Sequence, residues 1–416
     1  MHTSRVIGLF SLGLLVTLLA ACGGGGGSGS TPPPSSITLT VEDPLGSFNA
    51  AAYQVGSGSW QALNMTGTTT KTASFSLNGQ SKYGVAVRCS GLVVKVIQAT
   101  ASELPNPKLE CSSSSSTPST VAFTVNVSID AGLLASGDRV CVNSTNCQSA
   151  SNTVSIPLNL EAGTRDLLIA LADSSNMVKV AKVVKGVNVS SGGSTNVSLA
   201  ASDQLNPVSF TLPTPPSGYS SFPAAPIFYA SASNTGGGGV NASPTSYRPV
   251  SGFGSGDRYV ALLMASASSG ELQSFQFFTG TPSLAFPAPW NAGSLGVNQT
   301  AHPSLSGLSR SDNDLRGYQI YLQLTAQLYY TAIIGKSWLG SATTYTLPDL
   351  SAPSLLGYTA PSSGSGTFEV TALLSNKPIL AADNSALLSF AAGDYLRSAR
   401  AFTSSYTVGG GNINLP

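Results

Sequence analysis

The chain has 416 residues, yet only 9% are charged, 19 Lys and Arg against 18 Asp and Glu, where soluble domains usually carry about 25%. That balance provides no electrostatic footprint for nucleic acid or anionic lipid, while 42% hydrophobic residues supply the apolar surface that disordered chains lack. Gly (44), Pro (25) and Ser (66) fill about a third of the sequence, which predicts many short elements divided by turns.

The first segment is an export signal. Arg5 precedes Val6 to Ala21, an apolar run of 16 residues, short for a spanning helix, which needs about 20. It ends in Leu19-Ala20-Ala21-Cys22, small residues of the kind found at a signal-peptide cut. This segment resembles the lipobox of bacterial lipoproteins. The resemblance implies a signal peptide over 1–21, cleavage before Cys22, diacylglycerol on the Cys22 thiol and acylation of the new amino terminus. Residues 22–36 then read as a tether, five glycines followed by Ser, Gly, Thr and Pro, flexible first and stiffer further out. Extended, Gly23 to Ser36 reach about 45 Å. Gly23 replaces the Asp that the family's sorting rule uses for inner-membrane retention, so the resemblance favours the outer membrane. Removing residues 1–21 leaves 18 basic and 18 acidic residues, with His302 the one histidine.

Export places Cys89, Cys111, Cys141 and Cys147 where disulfides persist. Four cysteines allow three connectivities. Cys89–Cys111 and Cys141–Cys147 keep each pair inside one candidate domain, and the second closes a polar hairpin tip after Arg139 to Val142.

From Ser36 onward short β-like runs recur: Ile37 to Val41, Thr72 to Leu77, Tyr83 to Cys89, Leu92 to Ala99, Val121 to Ile129 and Val154 to Leu160. Alternation over 124–129 predicts a half-buried strand. No amphipathic helix of 12 residues is found; short helical candidates fall at Ala381 to Phe390 and Asp394 to Phe402. Residues 83–99 and 167–184 share a strand, polar turn and strand with a common Val-Lys-Val, and 259–278 repeat the scheme, which suggests an internal repeat. The fold class expected is all-β, with tandem β-sandwich modules. Composition shifts place them at 37–111, 119–201, 207–300 and 301–416. The Ser-rich stretch from Ser112 to Pro118 lies between the first two, and the last two read equally as one sandwich.

Leu305 to Leu308, Gly317 to Leu322, Thr344 to Leu350, Thr367 to Ala372 and Ala399 to Val408 follow one another in the last region. A strand ending in Leu-Pro-x-Leu before an aromatic-x-Val-x-Ala strand resembles a fibronectin type III or related immunoglobulin-like domain. Phe368 stands where that family usually has Tyr, so the resemblance implies that the corner-latching hydroxyl is missing. Such folds host unrelated functions.

Chemical motifs are sparse. His302 lacks a partner for a two-histidine metal site and reads as a surface-loop residue. Gly335-Lys336-Ser337 has the end of a phosphate loop, but Tyr330 replaces its first glycine. Asp312-Asn313-Asp314 lacks the further acids of a calcium loop and reads as a charged turn, as does Glu42-Asp43. Two carboxylates of a glycosidase are drawn from distant residues, so spacing does not test them. Trp60, Trp290 and Trp338, with Tyr329-Tyr330, are possible sugar-stacking platforms; Trp60 and Trp338 sit in strand-like runs suited to a core, while Trp290 lies in a Pro-rich loop and is the ligand contact to test first. The sequence therefore predicts a non-catalytic cell-envelope lipoprotein without cofactor or metal, structural or adhesive. It is held to the membrane by its lipid and has envelope proteins or glycans as candidate partners. The alternative is a carbohydrate-binding or carbohydrate-processing surface protein.

Overall fold

A computed structural model describes residues 34–112, 119–324, 328–380 and 389–415. The signal peptide, Cys22, most of the tether, most of the Ser-rich stretch and most of the 381–390 helical candidate lie outside the described residues.

The molecule is all-β and built of packed sheets. The predicted runs are strands: Ser36–Glu42, Thr70–Ser76, Lys82–Cys89, Val93–Thr100, Thr120–Ile129 and Thr153–Glu161. All three predicted hairpins form as antiparallel pairs. Asp394 to Phe402 is a miss in element type, because Tyr395–Thr407 is a strand. Its Ala399 and Ala401 are buried while Arg400 and Phe402 are half-buried, a period of two that a helix would not give; a register shift then brings Tyr406 back to the buried face.

The first two modules share one topology. In the first, the order Thr70–Ser76, Ser36–Glu42, Lys108–Glu110 forms one sheet, and Val93–Thr100, Lys82–Cys89, Phe48–Val55, Gln61–Ala62 lie together in the other. In the second, Thr153–Glu161, Thr120–Ile129, Gly193–Leu199 face Val178–Val189, Gly163–Ala172, Arg139–Val142, Asn146–Ser149. Strand for strand the order is the same, including a parallel pairing of first and seventh strands. The shared Val-Lys-Val falls in the sixth strand of each.

The C-terminal sandwich places Thr344–Thr346, Ser304–Ser306, Leu295–Asn298 and Asn412–Leu415 on one face. The other face has Tyr395–Thr407, Ser365–Ser375, Leu315–Leu324 and Leu328–Gly335. Between them pack Leu295, Leu305, Tyr318, Ile320, Phe368 and Val370. Phe368 stacks on Tyr406 at 5.4 Å. The expected lack of a hydroxyl at Phe368 is offset by Tyr406, whose hydroxyl donates to the Thr300 carbonyl at 2.5 Å.

These units are not separate beads. Leu328–Gly335 pairs in parallel with Val93–Thr100, from Tyr329↔Val93 to Ile334↔Gln98. On the other side Tyr395–Thr407 pairs with Gly270–Phe278. One 13-stranded sheet among the described residues thus crosses the first, third and fourth regions. The second module lies on it through Leu168, Ala170, Ala181 and Val183, which pack against Ile227, Tyr229, Tyr259 and Leu263. Leu167, Ile169 and Leu171 point instead into the module's own core. The unbroken apolar run 167–172 therefore marks a sheet covered on both sides.

Both expected disulfides are present, Cys89–Cys111 and Cys141–Cys147, the latter between directly paired residues of a hairpin. Their sequence separations of 22 and 6 give unequal loop-closure effects of about 3 and about 2 kcal/mol. Denaturant unfolding of Cys89→Ser/Cys111→Ser and Cys141→Ser/Cys147→Ser proteins is expected to show the larger loss for the first pair. Equal losses would contradict a chain-entropy origin.

Candidate functional site

Most surface strands here turn short hydroxyls and amides outward. Thr38 bonds Ser74 at 2.8 Å, and Ser155, Asn126 and Asn196 form a ladder with contacts of 2.8 and 3.1 Å. One face departs from this, the side of the central sheet away from the C-terminal sandwich core. Register defines its rows. Glu271, Arg400, Thr371, Gln319 and Ile333 lie side by side on five adjacent strands. The next row runs Phe402, Glu369, Tyr321, Thr331 and Lys95.

A recess of about 250 Å³ opens among Gln319, Tyr321, Glu369, Thr371 and Arg400, room for about eight waters at ~30 Å³ each. The Arg400 guanidinium lies between two carboxylates, 3.4 Å from Glu271 and 3.5 Å from Glu369, with its plane 4.9 Å from the Phe402 ring. Charge-assisted hydrogen bonds are shorter, about 2.7–2.9 Å, so these ion pairs leave capacity open on Arg400 and Glu369, while Glu271 also accepts from Gln273 Nε2. Burial holds the Glu369 carboxyl above its ordinary range; Arg400 pulls it down and Glu271 pushes it up. Beside it the Tyr321 hydroxyl donates to Gln323 Oε1 at 2.9 Å, and Gln323 Nε2 donates to the Tyr329 hydroxyl at 3.0 Å. The two tyrosine rings are 6.4 Å apart. Burial, Tyr329 and Glu369 together raise the Tyr321 pKa.

The buried acids elsewhere serve a different purpose. Asp43 accepts the Ser47 and Phe48 amides, Asp138 the Ala135 amide, Asp203 that of Ala200 and Asp394 that of Ala391. Each staples a local turn. Asp257 does so too through the Gly254 amide, whereas Asp166 accepts the Gly186 amide across the paired strand; both also clamp the second module to the third region. Lys185 Nζ lies 2.5 Å from Asp257 and 3.4 Å from Asp166, and Tyr229 donates to Asp257 at 2.7 Å.

The residues singled out from the sequence are dispersed. Trp290 does not project from its loop: it is 8% exposed, its Nε1 donates to the Ala399 carbonyl at 2.9 Å and Arg310 lies 5.1 Å from its ring. Arg310 also grips the Ala288 and Pro289 carbonyls, which folds the Pro-rich loop down and removes Trp290 as a stacking platform. Trp60 is half-buried against the core over Gly84, where a Cβ would come within 2.8 Å of the indole. Trp338 is half-buried on a four-residue helix, Lys336–Leu339, rather than a strand. There the Ser337 and Trp338 amides donate to the Glu103 carboxylate, so the protein's own acid occupies the amides of the Gly-Lys-Ser segment. His302 is no free loop residue; it bonds the Tyr358 hydroxyl at 2.7 Å, and burial lowers its pKa against the opposing pull of Asp349. Arg310 takes up Asp312, and Tyr395 donates to Asp314. Tyr330 is fully buried, whereas Tyr329 belongs to the recess face.

Sequence reasoning missed Glu271, Glu369 and Arg400. The available signal was the polar phase of Gln319-Ile320-Tyr321-Leu322-Gln323 and of Thr367 to Thr371, large polar side chains where most strands show Ser or Thr. No protein-family model matches the chain, and no curated protein matches it.

The Asp166, Asp203 and Asp257 carboxyls are pushed up by burial, but donors from Ser233, Ser251, Lys182, Lys185 and backbone amides outweigh it and hold each below 3.8. Their stabilisation is therefore complete above the unfolded value of about 3.9 and is lost as pH falls through the lower folded values. Asp257→Asn is expected to cost about 2–4 kcal/mol at pH 7 by leaving Lys185 less well paired, and to flatten the loss of melting temperature below about pH 4. Calorimetry from pH 7 to pH 3 measures both; an unchanged acid slope would rule out the clamp.

Proposed function

We propose that this protein is a lipid-anchored component of the bacterial cell envelope that binds a ligand rather than converting one. Its binding surface is the outer face of the central sheet. The observation that carries the binding reading is the Glu271–Arg400–Glu369 group in a recess. Among the described residues its two carboxylates accept no backbone amide as the buried aspartates do, Glu271 accepting instead from the Gln273 side chain, so turn formation does not explain them. Both carboxylates lie against one guanidinium, which suits recognition better than acid–base chemistry, where one carboxyl must stay free to hold and release a proton.

Anchorage rests on the lipobox-like Leu19 to Cys22, and the tether of residues 22–36 would let the sandwiches stand off the membrane. Gly23 favours the outer membrane. A structural or adhesive role uses the same geometry, since one sheet running through three regions gives the ligand face a rigid backing.

Two measurements test this reading. A Cys22→Ala protein is expected to incorporate no labelled palmitate and to leave the membrane fraction; retention with label would overturn the anchor. Carboxyl footprinting of Glu271 and Glu369 is expected to fall when solubilised envelope material is added to the mature chain. Unchanged labelling of both would overturn the binding face.

A further inference from the structure

We infer that the recess at Gln319, Tyr321, Glu369, Thr371 and Arg400 takes a neutral, polyhydroxylated ligand, a glycan residue, an assignment that rests on the binding reading above. The argument is one of exclusion by charge and of fit by donor type. An anion that approaches Arg400 meets Glu271 and Glu369 on either side, 3.4 and 3.5 Å from the guanidinium. A simple cation that approaches either carboxylate meets Arg400, but two carboxylates on one guanidinium leave one net negative charge, so a cation is penalised less than an anion and lysine is the stricter comparator. Like charges placed side by side penalise a singly charged ligand, whereas a neutral hydroxyl can donate to a carboxylate and accept from a guanidinium at once.

The rest of the lining matches. Gln319 and Thr371 are directly paired across adjacent strands, as are Tyr321 and Glu369, so donors and acceptors are set in a fixed two-by-two array at strand spacing, about 4.8 Å. That spacing suits two hydroxyls on ring carbons one apart (1,3-related) rather than a single point of contact. Within that array Tyr321 offers its ring rather than its hydroxyl, which is tied with that of Tyr329 through Gln323; the two rings leave apolar surface for the less polar side of a sugar. Because the side chains stand on strands with paired neighbours on both sides, the site is largely preformed.

The test is titration calorimetry of the mature chain with neutral linear oligosaccharides of glucose, mannose, xylose and N-acetylglucosamine, each to about 1 mM. Glycine, glutamate and lysine serve as zwitterionic and charged comparators. At least one oligosaccharide is expected to bind, and Gln319→Ala, Glu369→Gln and Arg400→Gln are expected to weaken it tenfold or more. Asn126→Ala, on the remote ladder, is expected to leave it unchanged. Gln319→Ala removes only a half-buried side chain, so it remains informative where the charge variants fail to fold. Binding of an amino acid in place of sugars, abolished by the same variants, overturns the ligand class and leaves the binding face standing. Sugar binding indifferent to Gln319→Ala overturns the site. No binding by any probe overturns the glycan assignment, and footprinting of Glu271 and Glu369 with envelope material then decides whether the face binds anything else.

Discussion

The structure depends on one parallel pairing, Tyr329↔Val93 through Ile334↔Gln98, between strands from opposite ends of the chain. Parallel strands are stable where both sides are covered, and both are covered here. Tyr330, Ala332, Val94 and Val96 face the C-terminal core, while Ile333 and Ile97 face the first module's core. The pairing removes two sheet edges that would otherwise present unpaired amides. It also continues the rows of the recess face: Thr331 meets Lys95 and Ile333 meets Ile97, so the first module bounds one end of that face.

Scarcity of charge shapes how the remaining charges are used. Backbone groups are satisfied by long ladders, and outward positions by Ser, Thr and Asn in cross-strand contact, which needs few ions. The aspartates instead work inward. Asp43, Asp138, Asp203, Asp257 and Asp394 are at most 6% exposed, and each accepts a turn amide. A carboxylate fixed by several donors tolerates burial because the donors offset its lost hydration.

Strands, hairpins and both disulfides were legible in the sequence because they are local. Alternation over 124–129 and the unbroken run over 167–172 report which faces are covered without reference to distant residues. The fusion of three regions was not legible, since nothing in Val93 to Gln98 marks Tyr329 to Ile334 as its partner. The same limit hid the recess, whose Glu271, Glu369 and Arg400 come from three strands that meet only in the assembled sheet. Trp290 misled for a related reason. The Pro-rich stretch argues for a surface loop, but Arg310, two strands further on, clamps that loop and covers the ring.

The middle of the central sheet, uncovered among the described residues, has to be polar where it meets water, yet contact with water alone does not call for these side chains. On the Thr120–Ile129 sheet Asn126, Ser128 and Ser155 suffice. Ordering an Arg, Glu or Gln side chain costs up to about 2 kcal/mol of rotamer entropy, far more than ordering a Ser. The burial of Glu369 beside Glu271 adds a desolvation cost that the 3.5 Å contact to Arg400 offsets only in part, as its raised pKa records. A face built at that cost is what the proposed binding role would require, since a bound ligand would complete its hydrogen bonds; contact with water alone does not call for it.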